Sequence, residues 1–482
     1  MGRVILVLGT TSGAGKSTLT AAICRFLANR GVKVAPFKAQ NMSLNACAVA
    51  GGEMAWAQVI QARAARVNPE VAMNPVLLKP LGDAKSELIL MGRSAGIVES
   101  ATFDAYRAKA RPVAYAALQG LLERFQVVVA EGAGSPAEVN LKEMDFVNTG
   151  LMRQFKAASL LVADIDRGGV FASVIGTLEL FSPEERNLVE GVVINRFRGN
   201  LGILQPGLDF LERRTGKPVL AVLPYLEEAL PPEDSLDIRN SEGSGLKVAV
   251  VRYPRIANFS DLTPLAVEPG VSLSYTQDPL EVASARLVIL PGSRATLSDL
   301  RWMRERGLDL AVKLAHKQGA WVVGICGGFQ MLGQKVCDPV GTDGGGEEEG
   351  VGLLPVVSVM KGEKQVGPVR AVRRSGFGWI PGEVEGYEIH TGETTGGAPL
   401  FVLEDGRTDG AYGERVIGTY IHNIFAHDGF RRALLNTLGI AEVDSTSYED
   451  WLEERLEGLS KMLSAQGRLA NWLHEKATPD LQ

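Results

Sequence analysis

Short runs of valine, isoleucine and leucine alternate with stretches of helical spacing through the first half of the chain. Val4–Leu8 reads as a strand, Ser17–Arg30 as a helix and Val32–Phe37 as a strand. Phe125–Ala130, Leu160–Asp164, Glu190–Asn195 and Val219–Leu223 extend the series. Continuous apolar strands separated by helices predict a parallel sheet covered on both faces. The rhythm breaks after Pro224, where Pro231, Pro232 and the run Asn240–Gly245 have the chemistry of a linker. A second α/β unit starts at Leu246–Arg252 and continues through Leu287–Pro291, Trp321–Ile325 and Val416–Tyr420. Gly341–Gly350, rich in glycine and glutamate, reads as a surface loop. The segment 447–476 places Trp451, Leu452, Leu456, Leu459 and Leu463 at helical spacing and is expected to pack on the second unit. The expected organisation is a first domain over 1–230, a linker over 231–245, a second domain over 246–445 and a helical tail over 446–482. Both domains are expected to be doubly wound, mostly parallel α/β sheets.

Composition narrows the class. At 482 residues the chain exceeds one ordinary core. Its 55 glycines exceed the usual share of roughly 7%, as many tight strand–helix turns require. A net charge of −6 argues against nucleic-acid binding. No stretch approaches the roughly 18 apolar residues of a membrane span, and Val4–Leu8 leads straight into a glycine-rich loop rather than a cleavage site. Four cysteines without a pairing or zinc-binding pattern point to a reducing, cytoplasmic setting.

The first candidate site is Gly9-Thr-Thr-Ser-Gly-Ala-Gly-Lys-Ser-Thr18. A glycine-rich turn between a strand and a helix rings phosphates with backbone N–H groups, and a lysine neutralises their charge. Thr11, Gly13, Gly15, Lys16, Ser17 and Thr18 are the expected contacts to ATP. The hydroxyl of Ser17 or Thr18 is placed to reach a magnesium ion. The strict spacing would put glycine at position 10; Thr10 stands there and Gly9 precedes it, so the loop is one residue longer than the standard form. Asp164 and Asp166 follow an apolar strand, at the carboxyl edge where open α/β sheets bind ligands.

The second candidate site is Gly324-Ile-Cys-Gly-Gly328. Glycines two residues before and after Cys326 permit the sharp strand-to-helix turn that exposes a nucleophile. The helix N-terminus favours the thiolate, and the N–H groups of Gly327 and Gly292 are candidate oxyanion donors. Cys24, Cys47 and Cys337 lack such a setting and read as core or bystander residues. A thiol nucleophile needs a base. His422, at the end of the strand Val416–Tyr420, is the first candidate; His390 is a rival base or a substrate contact.

The long phosphate loop resembles a subgroup of P-loop proteins that includes dethiobiotin synthetase and the cobalamin amidases, where ATP phosphorylates a carboxylate. That resemblance implies an acidic magnesium ligand at Glu131. The elbow and His422 resemble the class I glutamine amidotransferases. Many of those carry glutamate two residues after the histidine, where this chain has Ile424; the third member of the site is missing or supplied from elsewhere. Both signatures together resemble the cobyric acid synthase family over nearly the whole length. The resemblance rests on Ala35–Met42, Met73–Pro80, Asp164–Phe171 and Gly191–Gly199. The related cobyrinic acid a,c-diamide synthases carry a Gly-Pro-Asp-Tyr segment where this chain has Gln40-Asn41-Met42.

The resemblance implies that L-glutamine is cleaved at Cys326, near Gly292, and that ATP and magnesium activate carboxylates of a corrin near Gln40, Asn41, Asp164 and Asp166. Released ammonia then forms amides at the b, d, e and g positions of adenosylcobyrinic acid a,c-diamide. Two other readings stay open at this point. One is the diamide synthase or another glutamine-dependent amidoligase. The other is a ParA-like ATPase switch with an inactive second domain.

Overall fold

The apolar runs of the first half pair as strands of one sheet. The computed structural model describes all residues except 1, 83, 100–102, 227–229, 234–237, 242–244, 375–377, 441–445 and 479–482. In it the sheet order is Val219–Pro224, Val189–Phe197, Ala158–Asp164, Arg3–Gly9, Val127–Glu131 and Val34–Phe37. Every neighbouring pair is parallel. Ile5, Leu6, Val7 and Leu8 are all completely buried, which is why this strand shows no alternation of polar and apolar positions. The register sets Val7 beside Glu131, Gly9 beside Val162 and Asp164 beside Asn195, so the segments that leave these strands share one carboxyl edge.

The chain divides into two units. The first comprises Met1–Met42, Met54–Pro231 and Leu452–Gln482; the second comprises Ser43–Glu53 and Pro232–Trp451. The first unit is therefore not the continuous 1–230 stretch expected. No strand or helix is described between Pro224 and Leu246, and part of the expected 231–245 linker lies outside the described residues. The first unit also holds a four-stranded sheet of Gln40–Met42, Val76–Gly82, Lys85–Leu90 and Arg93–Glu99, which no strand assignment from sequence anticipates.

The tail is helical as expected, over Tyr448–Ser464 and Gly467–Ala477, but from Leu452 it belongs to the first unit and not the second. The cause is a buried cation. Arg25, on the helix Lys16–Ala28, is completely buried and pairs with Glu453 at 2.7 Å and Glu457 at 2.9 Å. It also donates to the carbonyls of Ala64 and Arg63. A guanidinium out of water needs acceptors for its five N–H groups, and the tail supplies three of them, both oxygens of Glu453 and one of Glu457. Trp472 adds an indole N–H bond to Glu190 at 2.9 Å.

The second unit's main sheet runs Val271–Thr276, Leu246–Val251, Leu287–Leu290, Trp321–Ile325, Val416–Thr419 and Ala411–Gly413. All pairs but the last are parallel. A long antiparallel hairpin of Val356–Arg373 and Glu383–Gly396 forms part of another sheet. The excursion 341–350 is not wholly a loop: Gly346–Glu349 pairs antiparallel with Lys335–Asp338. The Asp338 carboxylate accepts N–H bonds from Thr342, Asp343 and Gly345, which turns the chain back on itself. Among the described residues no helix is long and apolar enough to cross a membrane.

Candidate active sites

In the first unit the phosphate loop joins the strand Arg3–Gly9 to the helix that starts at Lys16. Gly13 and Gly15 have φ of 71° and 96°, a region that glycine enters without steric cost. A Cβ on Gly15 would lie 2.0 Å from Asn195 Nδ2, which donates to the carbonyl of Ala14 at 2.9 Å. Lys16 Nζ donates to the carbonyls of Thr11 and Gly134, each at 3.0 Å. Thr11, Gly13, Gly15, Lys16, Ser17 and Thr18 thus form one continuous loop and first helical turn.

Glu131 ends its strand with a completely buried side chain. Its Oε1 accepts from Ser17 Oγ at 2.8 Å and from Lys38 Nζ at 2.7 Å, and its Oε2 accepts from Gln61 Nε2 at 2.6 Å. Ser17 and Glu131 present hard oxygen donors side by side, a set that fits magnesium. Among the described residues no cluster of three or more His, Cys, Asp or Glu is arranged to hold a metal; magnesium characteristically takes one or two protein ligands and completes its shell with phosphate and water. Lys38 and Gln61 have no assigned role in the sequence reading. Lys38 lies directly after the strand Val34–Phe37, and that strand-end position was the available signal.

The corrin candidates fall into two groups. Asn41 Nδ2 donates to Gln58, Gln58 to Gln61 and Gln61 to Glu131, a chain of side chains that links Asn41 to the phosphate site. Gln40 accepts from the Tyr106 hydroxyl at 2.8 Å. Asp164 and Asp166 are engaged elsewhere. Asp164 pairs with Arg196 at 2.8 Å, and Asp166 lies 3.4 Å from Arg198.

In the second unit Cys326 follows the strand Trp321–Ile325 at φ 53° and ψ −109°. A non-glycine residue in that region is strained and held there by its surroundings. The flanking glycines are what permit it. A Cβ on Gly328 would lie 1.8 Å from the Leu290 carbonyl, and one on Gly324 would lie 2.7 Å from the Gly328 carbonyl. Gly327 packs on Ser293, and Gly292 lies where a Cβ would be 3.5 Å from His422 Cε1. The sharp turn, the two candidate oxyanion glycines and His422 therefore gather at one place.

Of the two candidate bases, His422 is the one beside the elbow glycines. Its ring is buried and electrostatically coupled to the Cys326 sulfur, while the Cys326 thiol itself lies 3.5 Å from the Ile389 carbonyl. Its Nδ1 bonds Asp261 Oδ2 at 2.6 Å. Asp261 is the candidate for the third member that Ile424 leaves unfilled. It stands on the turn Phe259–Leu262, 161 residues before His422, and its Oδ1 also accepts the Asn423 N–H at 2.9 Å. The only linear signal for it is an acidic residue within Phe-Ser-Asp-Leu, shortly after a strand whose carboxyl end faces ligands. Burial opposes a charged ring. The Asp261 carboxylate and the Cys326 sulfur outweigh it by charge and hydrogen bond, and raise the His422 pKa to about 10.

His390 stands apart from this line. Its ring stacks on Tyr420 with centroids 3.9 Å apart, and its Nδ1 bonds the Gly392 carbonyl at 2.8 Å. We expect His422→Asn to lower glutamine hydrolysis by at least about 10²-fold, the lower end of general acid–base contributions, and His390→Asn to have the smaller effect. A direct glutaminase assay ranks the two; the reverse order would exchange their roles. Burial pushes the thiols of Cys24 and Cys47 well up, which removes both as nucleophiles at neutral pH.

Asp261→Asn should act through pH as well as rate. The wild-type imidazolium persists below its raised pKa, so the alkaline limb of kcat/KM for glutamine is expected near pH 10. Loss of the carboxylate charge removes a contribution that raises that pKa. The limb should move toward neutrality, with kcat down by at least about tenfold. An unmoved limb would show that Asp261 does not govern the titration of His422.

A P-loop with a buried carboxylate beside it, followed by a Cys–His–Asp line at a strand-to-helix elbow, defines a nucleotide-binding domain joined to a glutamine amidotransferase. Residues 5–234 match the CobQ/CobB/MinD/ParA nucleotide binding domain, and residues 247–430 match the CobB/CobQ-like glutamine amidotransferase domain. Probable cobyric acid synthases of Thermococcus gammatolerans and Thermococcus kodakarensis are 44% and 42% identical to this chain, each over 96% of it and 97% of the relative. The chain belongs to the cobyric acid synthase family, and it is a glutamine-dependent amidoligase.

Proposed function

We propose that the chain converts the b, d, e and g carboxylates of adenosylcobyrinic acid a,c-diamide to amides, using ATP and glutamine. The observation that carries this reading is the 44% identity to a probable cobyric acid synthase across 96% of the chain, supported by the His422–Asp261 pair beside the Cys326 elbow in the second unit. A ParA-like switch has no use for such a pair. The diamide synthase reading is disfavoured by Gln40-Asn41-Met42.

The Cys326 thiolate attacks the side-chain carbonyl of glutamine, and the oxyanion is received by the N–H groups of Gly292 and Gly327. His422 gives its proton to the departing ammonia. It then takes one from the water that hydrolyses the thioester, releasing glutamate. In the first unit Lys16 and the loop N–H groups hold the ATP phosphates. The γ-phosphoryl group passes to a corrin carboxylate, with ADP leaving, and ammonia displaces phosphate to form the amide. Magnesium, held by Ser17 and Glu131, would supply charge neutralisation at the phosphates. Lys38, paired with Glu131, adds a second buried positive charge at that edge. Gln40, Asn41, Asp164 and Asp166 are the proposed corrin contacts.

Mass spectrometry of the corrin diamide after incubation with ATP, magnesium and glutamine tests this reading. Four carboxyl-to-amide conversions are expected. An unchanged diamide, together with amidation of cobyrinic acid to its a,c-diamide, would move the assignment to the diamide synthase.

A further inference from the structure

Where the glutamate two residues after the histidine is absent, the ring must be oriented by something remote. Asp261 fixes Nδ1, but one bond leaves the ring free to tilt. The remaining constraints come from Tyr387, Asn258 and a segment of the second unit drawn from the N-terminal part of the chain, Ser43–Glu53.

Tyr387 stacks on His422 with ring centroids 5.2 Å apart and planes 15° from parallel. Their backbones also exchange hydrogen bonds, at 3.3 and 2.8 Å. The Tyr387 hydroxyl donates to the Ala46 carbonyl at 3.1 Å. Asn258 Nδ2 donates to the same carbonyl at 3.1 Å, while the Ala46 N–H approaches Asn258 Oδ1 at 3.5 Å. Asn258 begins the turn that carries Asp261, and the Asp261 N–H donates to its carbonyl. Asn258 Nδ2 also lies 3.4 Å from His422 Nδ1. With the Nδ1 proton given to Asp261 that approach is not a bond, so the Ala46 carbonyl and the Tyr387 hydroxyl, 3.3 Å from Asn258 Nδ2, are what hold the amide. Two further bonds pin the segment. Asn258 N–H donates to Leu44 at 3.2 Å, and Ser260 Oγ donates to Asn45 Oδ1 at 2.7 Å. Asn258, Asp261, Tyr387 and His422 are all buried, where displaced polar groups find no water to replace a lost partner.

We propose that Asn258 and Tyr387 are positioning residues which, anchored on the Ala46 peptide, set the Asp261–His422 pair for proton transfer at Cys326. Asn258 and Asp261 sit on one short turn, so a shift of the Asn258 amide moves the carboxylate. Tyr387 sets the plane of the ring. Both share the Ala46 carbonyl and bond each other, and the Tyr387 hydroxyl also lies 3.5 Å from Asp261 Oδ1.

Tyr387→Phe removes the hydroxyl and keeps the stack. Asn258→Gly removes the amide and keeps the backbone, because glycine accepts φ 51° without the strain that alanine would add. Glutamine hydrolysis needs no corrin, so the assay does not depend on which acceptor the enzyme amidates. In each variant kcat is expected to fall about tenfold with the KM for glutamine within about twofold. The low-field proton resonance of the His422 Nδ1–H should move. The double variant should lose less than the product of the two singles, because both share one carbonyl and bond each other. Unchanged kcat in both singles overturns the proposal. So does a raised KM with kcat retained, which would make these residues glutamine contacts. A fall in kcat with an unmoved His422 resonance overturns it as well, since the loss would then be purely structural.

Discussion

Cys326→Ala is expected to abolish glutamine-dependent amidation and to leave amidation from high free ammonium in place. In the proposed reaction the Cys326 thiolate forms the bond to the glutamine carbonyl, and alanine offers no nucleophile in its place. The substitution does not disturb the turn. Gly324 and Gly328 still allow the close strand–helix approach, and alanine takes the φ of 53° at a cost similar to that of cysteine. The phosphate loop, Glu131 and Lys38 belong to the first unit and are expected to take no part in cleaving glutamine. The measurement is amide formation with each nitrogen donor, alongside a thermal melt. A folded variant that ammonium fails to rescue would refute the division of the reaction between two sites.

Lys16→Ala should fail with both donors. Its ammonium is held by the carbonyls of Thr11 and Gly134, which aim it along the loop where phosphates are received. A charge-assisted contact of this kind contributes about 1.5–3 kcal/mol, or roughly 10- to 10²-fold in affinity. The loss should be larger in turnover, because the transferring phosphoryl group relies on the same positive charge. Glutamine hydrolysis measured without ATP should persist, which separates this outcome from misfolding. Near-normal ATP turnover in the variant would remove residues 9–18 from the nucleotide site.

Much of this arrangement is local and therefore legible along the chain. The loop at 9–18 and the elbow at 324–328 are short runs in which glycine meets a backbone demand, and both sit between an apolar run and a helical pattern. The parallel strands are legible because burial on both faces leaves an unbroken apolar signature. His422 is legible as a strand-end histidine within a motif. Lys38 lies within Ala35–Met42 and one residue past a strand, but nothing in its neighbours marks it as the partner of Glu131.

The chain's linear pattern was sufficient to locate the loop and the elbow, because backbone sterics and apolar runs act over a few neighbouring residues. Three-dimensional folding was needed for what completes them. Asp261 reaches His422 across 161 residues. Ala46 supplies the carbonyl for Tyr387, 341 residues away. Buried Arg25 draws in Glu453, 428 residues away, and with it a tail that helical spacing alone assigned to the wrong unit. Each of these is a buried polar group whose partner is chosen by the need to satisfy a charge or hydrogen bond away from water. That need is met by whichever side chain the packed fold brings within about 3 Å, and it leaves no periodic trace in the order of the residues.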